Sequence, residues 1–123
     1  MPHPFVYTEL HTTAPEPAKA FYRELFAWDM TDIPTPAGPY TGIVPGDGPG
    51  AGLMGAAPQD DGRSHWLPYV QVPALEAATA RAVELGARLL ADKTAVPGQG
   101  WFTWLVDPTG ARFALWEKQA AAE

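Results

Sequence analysis

The chain has 123 residues, no cysteine and a formal net charge of −6. That is enough for one domain with a single core, and it removes disulfides, thiolate metal sites and a cysteine nucleophile. The chain is 46% hydrophobic and 18% charged, a soluble globular balance, and its 8 Lys and Arg are too scattered to make a basic footprint for nucleic acid or anionic lipid.

The start, MPHPFVYTEL, lacks a basic segment followed by an apolar stretch, and no apolar run approaches the ~20 residues of a membrane helix. The expectation is a cytoplasmic protein that meets neither nucleic acid nor membrane. The 14 Pro and 12 Gly are spread along the chain, which predicts many turns between short elements. Residues 5–12 alternate as a strand does. Thr13-Ala14-Pro15-Glu16 reads as a capping box with Pro in the first turn. Ala14, Ala18, Phe21 and Leu25 then follow at spacings of four, three and four, the stripe of an amphipathic helix. Strands are predicted near 28–33, 39–44 and 51–56.

The polar stretch Pro58-Gln59-Asp60-Asp61-Gly62-Arg63 reads as a joint. A strand over 66–72 follows. Leu75, Ala78, Ala82 and Leu85 make a second helical stripe, and Gly86 is its stop. Further strands are predicted near 88–92, 101–106 and 111–117. Asp107-Pro108-Thr109-Gly110 reads as a hairpin turn, and 119–123 as a frayed tail. The two strand-helix units align when 60 is added to each number. Tyr7 meets Leu67, Leu10 meets Val70, Ala18 meets Ala78, and Gly50-Ala51 meets Gly110-Ala111. This predicts one domain over 1–123 built from two βαβββ modules, about 4–58 and 64–118.

TELHTTAPEPAKAFYRELFAW, HWLPYVQV with its helix ending VELGARL, and DPTGARFALWE resemble the vicinal oxygen chelate superfamily, which includes glyoxalase I, bleomycin-resistance proteins and extradiol dioxygenases. The resemblance implies an α+β fold in which two tandem modules form a curled mixed sheet around a central cup, commonly in a homodimer. It also implies four metal-ligand positions, on the first and last strand of each module. Here they fall on Tyr7, Met54, Leu67 and Ala114. None is a His, Asp or Glu, the donors that such metals want, so the expectation is no metal there and no cofactor.

Side chains alternate across a strand, so Tyr7, Glu9 and His11 share the face toward the cup, as do Leu67, Tyr69 and Gln71. The last strand would show Arg112, Ala114 and Trp116, and the strand before it Phe102 and Trp104, with the opposite parity possible. An aromatic lining with a few polar points suits a small organic ligand. Glu9 and His11 are the candidate catalytic pair. Their blander reading is a hydrogen-bonded structural pair, or a salt bridge with Arg112. His65 reads as an ordinary loop residue. These residues suggest a metal-free, bleomycin-resistance-like protein binding a small aromatic or cationic molecule. The rivals are a glyoxalase-type lyase or isomerase with Glu9 or His11 as base, and a scaffold domain whose cup is filled by its own side chains.

Overall fold

The computed structural model describes residues 3–35 and 38–120. Among these the elements run β1 (Phe5–Thr12), α1 (Pro15–Phe26), β2 (Asp29–Thr35), β3 (Gly38–Val44), β4 (Gly50–Gly55), β5 (His65–Gln71), α2 (Leu75–Glu84), β6 (Arg88–Val96), β7 (Gly100–Val106) and β8 (Arg112–Lys118). The βαβββ order occurs twice, so the α+β reading holds. Of the predicted tail, Gln119 donates its backbone N–H to the Gln99 carbonyl at 2.8 Å, and 121–123 lie outside the described residues. No helix among the described residues is long and apolar enough to cross a membrane.

The chain forms two compact units, divided within β1 and β5. Tyr7–Leu67 makes the first, and residues up to Val6 and from Pro68 onward make the second. In the first unit the strand order is β2-β3-β4-β1. β4 lies parallel to β1, with Glu9 opposite Gly52 and His11 opposite Met54, because α1 and a two-stranded excursion carry the chain back to its starting side. Leu10, Ile43 and Leu53 form the core, covered by Ala18 and Tyr22 of α1 with Trp28 and Trp66.

The helical stripe is one residue away from the expected one. Ala18 and Tyr22 face inward, while Phe21 and Leu25 are more than half exposed. The cause is aromatic. Tyr22 stacks on Trp28 at 5.7 Å and 11° and meets Trp66 edge-on at 5.4 Å, contacts worth about 0.5–1.5 kcal/mol each beyond their burial. The expected capping box is absent too. The helix begins at Pro15, Thr12 Oγ1 takes the Ala14 N–H at 3.1 Å, and the Thr13 N–H goes to Ser64 Oγ.

In the second unit the order is β5-β8-β7-β6. Val72, Leu75, Leu105 and Leu115 form its core, with Ala78 and Ala82 of α2 packed on them. Leu85, assigned to the stripe, is 61% exposed because α2 ends at Glu84. Gly86 stops the helix with φ +108, a conformation that glycine reaches without strain. At the Asp107 turn, Oδ1 accepts the N–H groups of Thr109 and Ala111.

The 60-residue offset relates β1 to β5 and α1 to α2. On the last strands the ladders give 62 instead. Glu9 pairs with Gly52, and Tyr69 with Ala114. β6 has nine residues where β2 has seven, and it shifts register twice against β7. An even shift preserves the face each side chain takes.

Candidate functional site

On β1, Leu10 turns to the helix-covered core while Tyr7, Glu9 and His11 share the opposite face, as alternation requires. Glu9 is 5% exposed and His11 fully buried. His11 Nε2 lies 2.7 Å from Glu9 Oε1, and its Nδ1 lies 3.0 Å and 3.1 Å from the two Asp60 oxygens. The Tyr40 hydroxyl donates to Glu9 Oε2 at 2.7 Å and stands 2.6 Å from the Tyr7 hydroxyl. Since Tyr40 gives its proton to Glu9, Tyr7 is the donor to Tyr40. A continuous hydrogen-bonded chain thus runs Tyr7, Tyr40, Glu9, His11, Asp60.

Each member is placed by a local feature of the backbone. Tyr40 lies opposite Met54 in the β3·β4 ladder. Its ring crosses Gly52, where an added Cβ would collide with the Tyr40 and Tyr7 hydroxyls. Asp60 closes the short helical turn Pro58–Asp60, whose first free backbone donor, Ala57 N–H, reaches Oδ2 at 2.6 Å.

The electrostatics follow from burial opposed by charge. Burial alone would lower the His11 pKa, but hydrogen bonds and charge from Glu9, then from Asp60, overcome it and hold it above the ordinary value. With a carboxylate on each ring nitrogen, the cation has both of its protons accepted. Burial pushes Tyr7 up to about 12, with Glu9 adding to the rise and the Tyr40 bond opposing it. Burial, then the Glu9 charge, raises Tyr40 far above the phenol range. Both tyrosines are therefore donors at neutral pH, not nucleophiles.

In the second unit, Trp104 Nε1–H donates to the Tyr69 hydroxyl at 3.0 Å. Phe102 stacks on Trp104 at 5.5 Å and 21° and meets Tyr69 edge-on at 6.0 Å. This is the parity chosen for β7, with Leu105 on the core side. Ala114 lies opposite both Tyr69 and Trp104, and Trp116 opposite Gln71 and Phe102. Arg112 opens β8 across from Val106, and the Gln71 backbone N–H reaches the Pro4 carbonyl.

Sequence reasoning brought together Tyr7, Glu9 and His11, and separately Tyr69, Phe102 and Trp104. It missed Tyr40, Asp60 and His65. Alternation along 38–44 offered a signal for Tyr40. Asp60 sits in a stretch that reads as a solvated joint, yet it is 2% exposed. His65 is the first residue of β5, not a loop residue, and its ring centre is 5.2 Å from that of His11.

The residues at the superfamily's metal positions do not fit a metal. Met54, Leu67 and Ala114 offer neither nitrogen nor carboxylate oxygen, and the Tyr7 phenol keeps its proton. The ladder makes Gly52, not Met54, the counterpart of Ala114, and Gly52 adds no donor. Beside Met54 the first unit has a cavity of about 240 Å³ whose lining includes Pro15, Lys19, Pro39 and Leu53. That is room for a small molecule only.

Comparison with known proteins agrees with this architecture. The family model described as a glyoxalase-like domain matches residues 7–116. The CFP32 proteins of Mycobacterium bovis and Mycobacterium tuberculosis, each named as a candidate glyoxylase, are 31% identical over 111 residues, 89% of this chain. The chain spans 42% of the length of these curated relatives. Among solved structures, protein BH1468 of Bacillus halodurans C-125 superposes with a TM-score of 0.71 at 16% identity, covering 100% of this chain and 99% of that one. Methylmalonyl-CoA epimerase of Mycobacterium tuberculosis gives 0.68 at 14% identity, covering 94% and 88%. At these identities the structural likeness speaks for the fold alone. With its paired βαβββ units and a family match over nearly all its length, the chain belongs to the glyoxalase-like domain family of the vicinal oxygen chelate superfamily.

Proposed function

We propose that this glyoxalase-like chain binds a small aromatic or cationic organic molecule, with no metal at the four superfamily positions, and that it acts by sequestration as bleomycin-resistance proteins do. The buried chain Tyr7, Tyr40, Glu9, His11, Asp60 carries this reading. A β-sheet face needs no such network to fold, and burying its charges opposes stability. With two carboxylates around one imidazolium, the network holds one net negative charge, a counter-charge for a cation.

The test is calorimetric titration with phenyltrimethylammonium and its neutral isostere tert-butylbenzene. Glu9→Gln keeps the shape and removes the charge. It is expected to weaken the cation at least about tenfold, equivalent to about 1.4 kcal/mol, and to leave the isostere unchanged. Equal affinity of both probes for both proteins, with the fold intact, refutes the reading.

A glyoxalase-type lyase or isomerase is the second reading. It is favoured by the Tyr40 and His11 donors on Glu9, which orient a carboxylate as a general base is oriented, and by the glyoxylase name that the mycobacterial relatives carry. Turnover of a hemithioacetal that is lost in Glu9→Gln would decide for it.

A further inference from the structure

We propose that His11 Nδ1, an Asp60 carboxylate oxygen and His65 Nε2 form a binding site for a divalent transition metal of the zinc class, away from the superfamily's metal positions. All three donor atoms lie within 4.8 Å of one another. His11 Nδ1 is 3.0 Å from Asp60 Oδ2, and His65 Nε2 is 3.4 Å from Asp60 Oδ1. Ligands held at about 2.0–2.2 Å around a tetrahedral zinc stand about 3.3 Å apart, close to both His–Asp60 separations, while the two histidines, whose donors lie within 4.8 Å, would draw together to close on an ion. Two imidazoles and one carboxylate are a donor set that leaves a fourth position open.

Two further observations point the same way. His11 Nε2 is bonded to Glu9 Oε1 at 2.7 Å. A carboxylate on the far nitrogen fixes the ring and leaves the near nitrogen to the metal, the usual outer support of a metal-bound histidine. His65 Nε2 is shielded from solvent and has no hydrogen bond among the described residues, although Asp60 lies beside it. Buried ring nitrogens are rarely left so. The His65 Nδ1 is 3.5 Å from the Arg63 carbonyl. A proton carried on Nδ1 leaves the Nε2 lone pair facing Asp60. His65 is also the partly exposed member, with 22% of its side chain accessible, and so offers the route of entry. Without metal, a proton on His11 Nδ1 bridges to Asp60 in the ion's place.

Untagged, chelator-treated protein is titrated with Co(II), read by visible absorption, and with Zn(II), read by calorimetry. No organic ligand is present, so the outcome is independent of the small-molecule proposal. One ion per chain at micromolar affinity or tighter is expected. His65→Gln should weaken it at least about 100-fold and Asp60→Asn should abolish it. Glu9→Gln should weaken it about 10–100-fold, and His3→Gln, at an exposed position, should leave it unchanged. Folded protein that takes up no stoichiometric ion overturns the proposal. So does an ion whose affinity is untouched by His65→Gln while the fold, checked by circular dichroism, is intact.

Discussion

Gly52→Ala tests how the polar chain is built. In a strand, replacing Gly by Ala ordinarily stabilises by about 0.5–1 kcal/mol, through lost freedom of the unfolded chain. Gly52 has no positive φ, so its backbone accepts alanine. The space does not, because the new Cβ would meet the Tyr40 and Tyr7 hydroxyls. Those hydroxyls must move, breaking the 2.7 Å bond from Tyr40 to Glu9 and the 2.6 Å contact with Tyr7. A hydrogen bond to a charged group is worth about 1.5–3 kcal/mol and a neutral one about 0.5–1.5. Overpacking adds about 1–3 kcal/mol. The losses outweigh the backbone gain, for a net destabilisation of about 2–7 kcal/mol. Gly42 is the control. It lies opposite Gly52 in the β3·β4 ladder, and its own Cβ would find nothing closer than 3.8 Å. Urea unfolding should therefore separate the two variants, with Gly42→Ala neutral or slightly stabilised and Gly52→Ala strongly shifted in midpoint. Gly52→Ala and Tyr40→Phe should be less than additive, since both remove the same bond. Equal midpoints for the two glycine variants would refute the close approach.

Three further outcomes are expected. In chelator-treated protein, His11 has a raised folded pKa, so its stabilisation is full below the unfolded value near 6.5 and is lost as pH rises through the folded value. Asp60→Asn removes one source of that rise. It should therefore cost most near pH 6, about 1.5–3 kcal/mol, and less in the alkaline range, as urea midpoints at several pH values would show. Leu53→Ala, at a position 1% exposed, should lose about 2–5 kcal/mol in the same assay. Tyr69→Phe leaves the Trp104 Nε1–H without its 3.0 Å acceptor and should cost about 1–3 kcal/mol with a change in tryptophan emission; unchanged stability and emission would remove that bond.

Local pattern was enough to predict both helices, all eight strands and the doubled βαβββ order, because alternation, helical spacing and Pro/Gly punctuation are properties of neighbouring residues. It was also enough to place Tyr7, Glu9 and His11 on one face of β1. Pattern was not enough to say what they meet there. His11 finds Asp60 49 residues away, and Glu9 finds Tyr40 through a β3·β4 register that depends on how closely β3 can cross Gly52. Asp60 and His65 carry no periodic signal, since a polar turn and a strand's first residue look alike whether solvated or buried. The helical stripe of α1 was displaced by one residue for a related reason. The spacing admits either Phe21 or Tyr22, and only Trp28 and Trp66, brought in by β2 and β5, decide which ring is covered. Elements are written in local chemistry, whereas the partners of a buried charge are chosen by the packing of strands distant along the chain.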